Sequence, residues 1–246
     1  MNDVDSEIEK EQFVWAAPDS LEFYTTHRQT VDDLYPSERF FLPEAARTAR
    51  TCLDIGCAAG GFSRIMKSLN PGLEYTGVDV VPEFVARAQE MCPESRFEVG
   101  DGVHFTTPPN TYDLVFSSGI LHLNSRSRDI VRAGYAQARR TLLCDFRMSW
   151  GPTLVGTFRV AFDPAAGGDG RPRELPYIVL NVDEVVTELR ALEPPPQAIT
   201  IRGYYHPPAA AADVPLARVL MAFVRIDKGE AITVPQVVID LPRDDS

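Results

Sequence analysis

The chain reads as an α/β fold: a doubly wound, mostly parallel seven-stranded sheet ending in an antiparallel C-terminal strand pair. Three observations predict it. Between Thr51 and Phe146, short apolar runs alternate with stretches of helical periodicity, the rhythm of right-handed crossovers and of a sheet covered on both faces. The first of those strands ends in a glycine-rich turn, "DIGCAAGG", and such a strand-to-helix turn brings bare backbone up to a ligand. Near the C-terminus, "AITIRGYY" and "ARVLMAFVRI" are joined by "HPPAAAADVPL". That linker is too short for a crossover helix and has the wrong composition for one, so the two strands are expected to pair antiparallel at the sheet edge.

The elements follow in order. The first dozen residues, "MNDVDSEIEKEQ", are acidic and polar and read as a mobile tail. Residues 13–48 carry Trp15, Phe23, Tyr24, Tyr35, Phe40 and Phe41 among helix-like stretches. "TCLDIG" is a strand. Residues 60–69 form a helix with Phe62, Ile65, Met66 and Leu69 on one face, stopped by "NPG". "EYTGVDV" is the second strand. "PEFVARAQEMC" is a helix, with Pro82 suited to its first position and Glu83 to its first turn. "RFEVGD" and "YDLVFSS" are the third and fourth strands, 126–138 a helix, and "RTLLCDF" the fifth strand. After Met148 the rhythm breaks, and residues 149–180 read as a hairpin or flap: a strand-like piece, a glycine-rich loop and a second strand-like piece. A helix at 182–192, the C-terminal strand pair and a further short strand in "TVPQVVIDLP" complete the chain. One domain of 1–246 is expected: an N-terminal cap or lid (1–50), a ligand-binding core (51–146), a substrate-side insertion (147–180), and a C-terminal helix with antiparallel strands (181–246).

Composition narrows the function. Of 246 residues, 44% are hydrophobic and 24% charged, ordinary for a soluble globular chain. A net charge of −11 argues against generic binding to a phosphate backbone, so no nucleic acid partner is expected. No secretory signal and no apolar span are visible, and the cytoplasm is the expected compartment. Cys52, Cys57, Cys92 and Cys144 form no CxxC pair and read as buried, reduced thiols. The four histidines are scattered, so no metal site is expected.

The acids around the glycine turn carry the chemistry. Dinucleotide binding asks for G-x-G-x-x-G, and counting from Gly56 the second glycine position holds Ala58. Asp54, beside the turn, suits a doubly charged pyrophosphate poorly and a ligand with an ammonium and a sulfonium well. Gly56 and Gly60 remove side chains that would block such a ligand. Asp79 ends the second strand, where an acid accepts hydrogen bonds from ribose hydroxyls. Asp101 ends the third, where it can accept from an adenine amino group. Any one of these acids alone reads equally as a helix cap; three in succession at strand ends point to a nucleoside ligand.

Residues 51–146 resemble the class I S-adenosylmethionine-dependent methyltransferases. "LDIGCAAGG" is similar to that family's first motif, "GVDV" to its ribose-binding acid, "VGDG" to its adenine-side acid, and "YDLVFSSGILHL" to its fourth strand and following loop. Ala58 departs from the glycine common there. The resemblance implies a Rossmann-like fold, S-adenosylmethionine as cofactor, and a cofactor site of Asp54, Gly56, Cys57, Ala58, Gly60, Phe62, Asp79, Val80, Asp101, Gly102, Ser117 and Ser118. It implies methyl transfer to a small-molecule or sugar-like acceptor. The rivals are an NAD(P)-dependent oxidoreductase and a non-catalytic cofactor-binding protein of the same fold.

Methyl transfer needs alignment above all, and a base only where the acceptor must lose a proton. The loop "SSGILHLNSR" lacks the Asn/Asp-Pro-Pro-aromatic sequence that family members use on nucleobase amino groups. Ser117 and Ser118 stand where metal-dependent members place an acid. His122 is the base candidate; the alternative is a ring packed against the cofactor or capping a helix. Trp150 and its neighbours are expected to form one wall of the acceptor pocket and His122 another, with the loop tip at 165–172 mattering less. Tyr24, with Trp15 and Tyr35, would line a lid or form a packed cap.

Overall fold

The computed structural model describes residues 3–16, 18–160, 173–229 and 234–243. The core is the expected alternation. Strand β1 (Thr51–Ile55) leads into α5 (Gly61–Leu69), β2 (Glu74–Asp79) into α6 (Pro82–Met91), and β3 (Arg96–Val99) is followed by β4 (Tyr112–Ser117), α7 (Ser127–Gln137) and β5 (Ala138–Ser149). Four short helices precede them: α1 (Asp3–Trp15), α2 (Pro18–Thr26), α3 (Pro36–Arg39) and α4 (Leu42–Thr48). Beyond β5 come β6 (Leu154–Arg159), β7 (Glu174–Asn181), α8 (Val182–Arg190), β8 (Ala198–His206), β9 (Ala212–Asp213), β10 (Val219–Asp227) and β11 (Gln236–Asp240).

The main sheet runs β11-β8-β10-β5-β4-β1-β2-β3. Strands β3, β2, β1, β4 and β5 are parallel, and β10 lies antiparallel between β5 and β8. The C-terminal pair is thus antiparallel, but it is not the edge: β11, from the "TVPQVVIDLP" tail, pairs parallel with β8 outside it. Residues 154–181 form the expected hairpin, β6 antiparallel to β7, while β7 joins the end of β5 through Met148–Leu180 and Ser149–Asn181. The linker before β10 supplies β9, which pairs with β6. The loop tip at 165–172 lies outside the described residues.

Period-two alternation divides the core between the two faces. Leu53, Ile55 and Val115 pack in one cluster with Tyr135 and Leu189, from α7 and α8. Cys52, Leu114 and Phe116 pack in another with Leu42, Ile65 and Met66, from α4 and α5. A third cluster joins Val14 of α1 to Tyr177 and Val179 of the hairpin. Residues 3–15 are therefore not a free tail but a docked helix. Gln12 donates to the Val80 carbonyl at 2.9 Å, and Arg173 donates to the carbonyls of Phe13 and Val14, each at 3.2 Å. The apolar residues that anchor the helix come after its acidic start, so composition alone hid it. All four cysteines are buried and free.

Gly77 shows how tightly β2 meets the turn after β1. A Cβ there would stand 2.7 Å from Cys57 Sγ and 2.7 Å from Phe97 Cδ1. Gly77→Ala is expected to cost about 1–3 kcal/mol by overpacking, read as a lower urea midpoint at unchanged slope; a variant as stable as its parent contradicts this packing.

Candidate functional site

A cavity of about 760 Å³, open to solvent, lies at the carboxyl ends of β1, β2 and β4. Its place is where open α/β sheets bind ligands.

The glycine turn makes its floor. Gly56 and Ala58 line it, and both have left-handed backbone, with φ of 82° and 45°. A Cβ on Gly56 would stand 2.7 Å from Ile120 Cγ2 across the cavity. The turn's amides are largely committed within the protein. Gly56 and Cys57 both donate to the Val78 carbonyl (2.8 and 3.1 Å), Ala58 to Asp79 (2.9 Å), and Gly60 to the Cys57 carbonyl (3.0 Å).

Asp79 and Val80 line the neighbouring wall. The two Asp79 oxygens accept one amide each, Ala58 on Oδ2 and Val81 on Oδ1, the latter at 3.0 Å. A carboxylate offers about four lone-pair sites, so capacity remains for hydroxyl donors. Burial pushes the Asp79 pKa up to about 6 against the opposing pull of the Val81, Ala58 and Val80 amides.

Asp101 and Gly102 form the next wall. Asp101 accepts from the Val103 and His104 amides on Oδ1 and from the His104 ring and Arg126 on Oδ2. Burial alone would raise its pKa, but the His104 amide, Arg126 and the Val103 amide outweigh it and hold the carboxyl well below the usual range. An adenine amino group would have to displace one of these donors, and the exposed His104 ring is the most easily moved. Arg126 also lies 3.9 Å from Glu11 of α1, which lines the cavity.

Aromatic rings close the cavity. Trp15 and Tyr24 line it with Phe84, Tyr24 standing edge-on to Trp15 at 6.0 Å and to Phe84 at 5.4 Å. Burial, and then nearby Asp79, raise the Tyr24 pKa, keeping its hydroxyl protonated. Ser118 lines the opposite rim.

Other expected site residues stand off the cavity. Asp54 is 1% exposed, and its carboxylate accepts from the Tyr75 hydroxyl. Alternation along β1 turns Ile55, not Asp54, to the cavity. Cys57 is buried against Gly77. Gly60 starts α5 with a φ of 81°, close to Ala88 and Phe97. Phe62 packs edge-on to Phe116 at 4.6 Å. Ser117 is buried behind Ser118, its hydroxyl without a hydrogen-bond partner. His122 is buried with its ring edge-on to Tyr177 at 5.5 Å and its Nδ1 unpartnered, and burial together with Arg147 holds its pKa well below the usual value. Trp150 donates to the Pro242 carbonyl at 2.8 Å, and Arg243 stacks on it. It contributes nothing to the cavity wall, because β5 carries it past the rim to the C-terminal residues. The sequence reading missed Glu11, Phe84, Ile120, Leu123, Asn124 and Ile130, which all line the cavity. Phe84 and Ile130 look like ordinary core positions, and only the spacing from the motifs could have marked them.

Two predictions follow from this geometry. Gly56→Val puts a branched side chain on left-handed backbone and against Ile120, and is expected to abolish ligand binding with only a moderate fall in melting temperature; parallel collapse of stability would assign the glycine to packing. The second concerns Asp54, whose pKa burial raises to about 7, against about 3.9 in an unfolded chain. The folded state therefore keeps a proton that the unfolded state has lost. Its stabilising effect is complete below about pH 4 and is lost as pH rises through about 7. Asp54→Asn, still able to accept from Tyr75, is expected to gain stability relative to its parent between pH 5 and 8 in thermal melts; a constant difference across that range contradicts the buried acid. Asp79, raised in the same direction, is common to both proteins.

Comparison with known proteins agrees with this geometry. Residues 52–143 match the family model of a methyltransferase domain. The chain is 37% identical over 70 residues to 2-methyl-6-phytyl-1,4-hydroquinone methyltransferase of Synechocystis sp., covering 27% of this chain and 22% of that protein. It is 30% identical over 80 residues to trans-aconitate 2-methyltransferase of Variovorax paradoxus, covering 32% and 29%. These matches span less than a third of either relative. In fold, it is similar to Burkholderia thailandensis 1,6-didemethyltoxoflavin-N1-methyltransferase, solved with 1,6-didemethyltoxoflavin and S-adenosylhomocysteine, at a TM-score of 0.60 and 16% identity over 94% of this chain and 91% of that one. A Methanosarcina mazei S-adenosylmethionine-dependent methyltransferase gives 0.55 and 16%, over 79% and 98%. Residues 52–143 thus match a methyltransferase domain, set in a fold similar to that of S-adenosylmethionine-dependent methyltransferases.

Proposed function

We propose that the protein transfers the methyl group of S-adenosylmethionine to a small-molecule or sugar-like acceptor. One observation carries the cofactor assignment: the Gly56, Cys57, Ala58 and Gly60 amides are committed internally, while Asp79, Asp101 and Glu11, the last two sharing Arg126, give the cavity an acidic wall. A pyrophosphate needs free amides and positive potential; a sulfonium with an ammonium needs the reverse. The oxidoreductase reading therefore loses ground on electrostatics, and the non-catalytic reading is separated from ours by turnover.

The residues fit the group. Asp79 would take the ribose diol on its remaining lone pairs. Ile130, Leu123 and Phe84 offer apolar surface for a flat base beside Asp101 and Gly102, and the Gly56–Ala58 turn leaves room for the methionine half. When bound, the cofactor supplies an electrophilic methyl group on a cationic sulfur. The chain's part is to orient the two reactants and exclude water, through Trp15 and Tyr24 above and the Ser118 rim at the side. We assign His122 and Trp150 to packing, since each is turned to a neighbour outside the cavity. The relatives' names, a hydroquinone, trans-aconitate and didemethyltoxoflavin, support a small acceptor. No described helix is long and apolar enough to cross a membrane.

Charge-assisted hydrogen bonds to Asp79 contribute about 1.5–3 kcal/mol each. Asp79→Ala is expected to weaken S-adenosylmethionine binding at least about tenfold by calorimetry, with a cooperative melt retained. Unchanged affinity would remove Asp79 from the site.

A further inference from the structure

The turn after β4 is gripped from behind by two buried carboxylates. Ser118 Oγ donates to Glu38 Oε1 at 3.0 Å, and the Gly119 amide donates to Asp145 Oδ1 at 2.7 Å. Glu38 comes from α3, in the N-terminal segment, and is 1% exposed. It also accepts from Arg28 at 3.0 Å and from the Tyr35 amide at 2.7 Å. Asp145 accepts from Arg147 at 2.6 Å. Among the described residues Arg28, Tyr35 and Ser118 all donate to Glu38, so this acid acts as an acceptor, although burial raises its pKa against the pull of Arg28.

This fixes the polarity of the rim. A serine hydroxyl has one proton, and Ser118 directs its proton away from the cavity to Glu38. What Ser118 shows the cavity is lone pairs. The adjacent Gly119 amide is equally engaged, and the space in front of Gly119 is open, with no atom within 4 Å of where a Cβ would stand. Glu38 and Asp145 stand behind the cavity wall, each paired to an arginine, Arg28 and Arg147, that does not line the cavity either. A carboxylate brought to this rim would meet lone pairs and find both nearby donors already committed. A hydroxyl or amino group would find an acceptor already aimed at it.

We propose that the acceptor presents a neutral O–H or N–H to Ser118, and that Glu38, by holding the Ser118 proton, disfavours carboxylates at that position. The proposal rests on the methyltransferase reading and names its substrate class. Glu38 is a positioning residue in it, acting through Ser118.

The test is equilibrium binding. The protein is first titrated with S-adenosylhomocysteine, and the saturated complex is then titrated with phenol, aniline and benzoate, three probes that share a ring and differ in the group presented. Binding is followed by calorimetry and by the Gly119 amide resonance. Phenol and aniline are expected to shift that resonance and to bind at least about tenfold more tightly than benzoate, the scale of one mismatched polar contact. In Glu38→Gln the side-chain amide can donate to Ser118 and release its proton to the cavity, and the preference should fall below about threefold. Ser118→Ala should lose the preference too, without touching the Arg28–Glu38 pair. Benzoate binding as well as phenol, a preference unchanged in both variants, or no probe shifting Gly119 would overturn the inference while leaving the cofactor reading intact. Failure of S-adenosylhomocysteine to bind would overturn both.

Discussion

The site depends on the position of one carboxylate. Asp79, at the tip of β2, accepts the Ala58 amide from the neighbouring turn and the Val81 amide from its own strand end. It thereby helps fix a loop with left-handed residues at Gly56, Ala58 and Gly60, together with the Gly56, Cys57 and Gly60 amide bonds. The same burial that makes these bonds strong makes an unpaired charge there costly. The acid is consequently poised for ligand donors, and burial raises its pKa. Gly77, two residues back on β2, lets the turn approach closely enough for the first of these bonds to form.

Around this point the protein draws its walls from distant parts of the chain. Residues before β1 supply Glu11, Trp15 and Tyr24 over the cavity, and Glu38 behind the rim. Arg173, just before β7, donates to the Phe13 and Val14 carbonyls of α1 and ties the N-terminal helix to the hairpin. The core supplies the cradle that a cofactor needs, and the N-terminal segment decides how that cradle is covered.

The core was legible because its signals are local. Strand–helix alternation, the glycine turn and the acids at 79 and 101 are each readable within a few residues, and all four occur where expected. Side-chain direction at strand ends was harder. Asp54 and Ile55 are neighbours, but alternation sends the acid to Tyr75 and the isoleucine to the cavity; a one-residue choice of face inverted the reading. Ser117 and Ser118 divide in the same way. Trp150 was placed by analogy with loops on the binding edge, yet the strand carrying it runs on to meet residues 242 and 243, a contact 92 residues away in sequence. Glu11 was hidden because an acidic, polar start reads as a tail, and only its apolar neighbours three residues on, docked by tertiary contacts, make it a lid.

The central claim is that an acidic wall and a turn with committed amides select a sulfonium nucleoside over a dinucleotide. Calorimetric titration of the purified protein with S-adenosylmethionine and, separately, with NADH tests it most directly. The account predicts one-to-one binding of S-adenosylmethionine and no heat of binding from NADH. Saturable NADH binding without S-adenosylmethionine binding would contradict it.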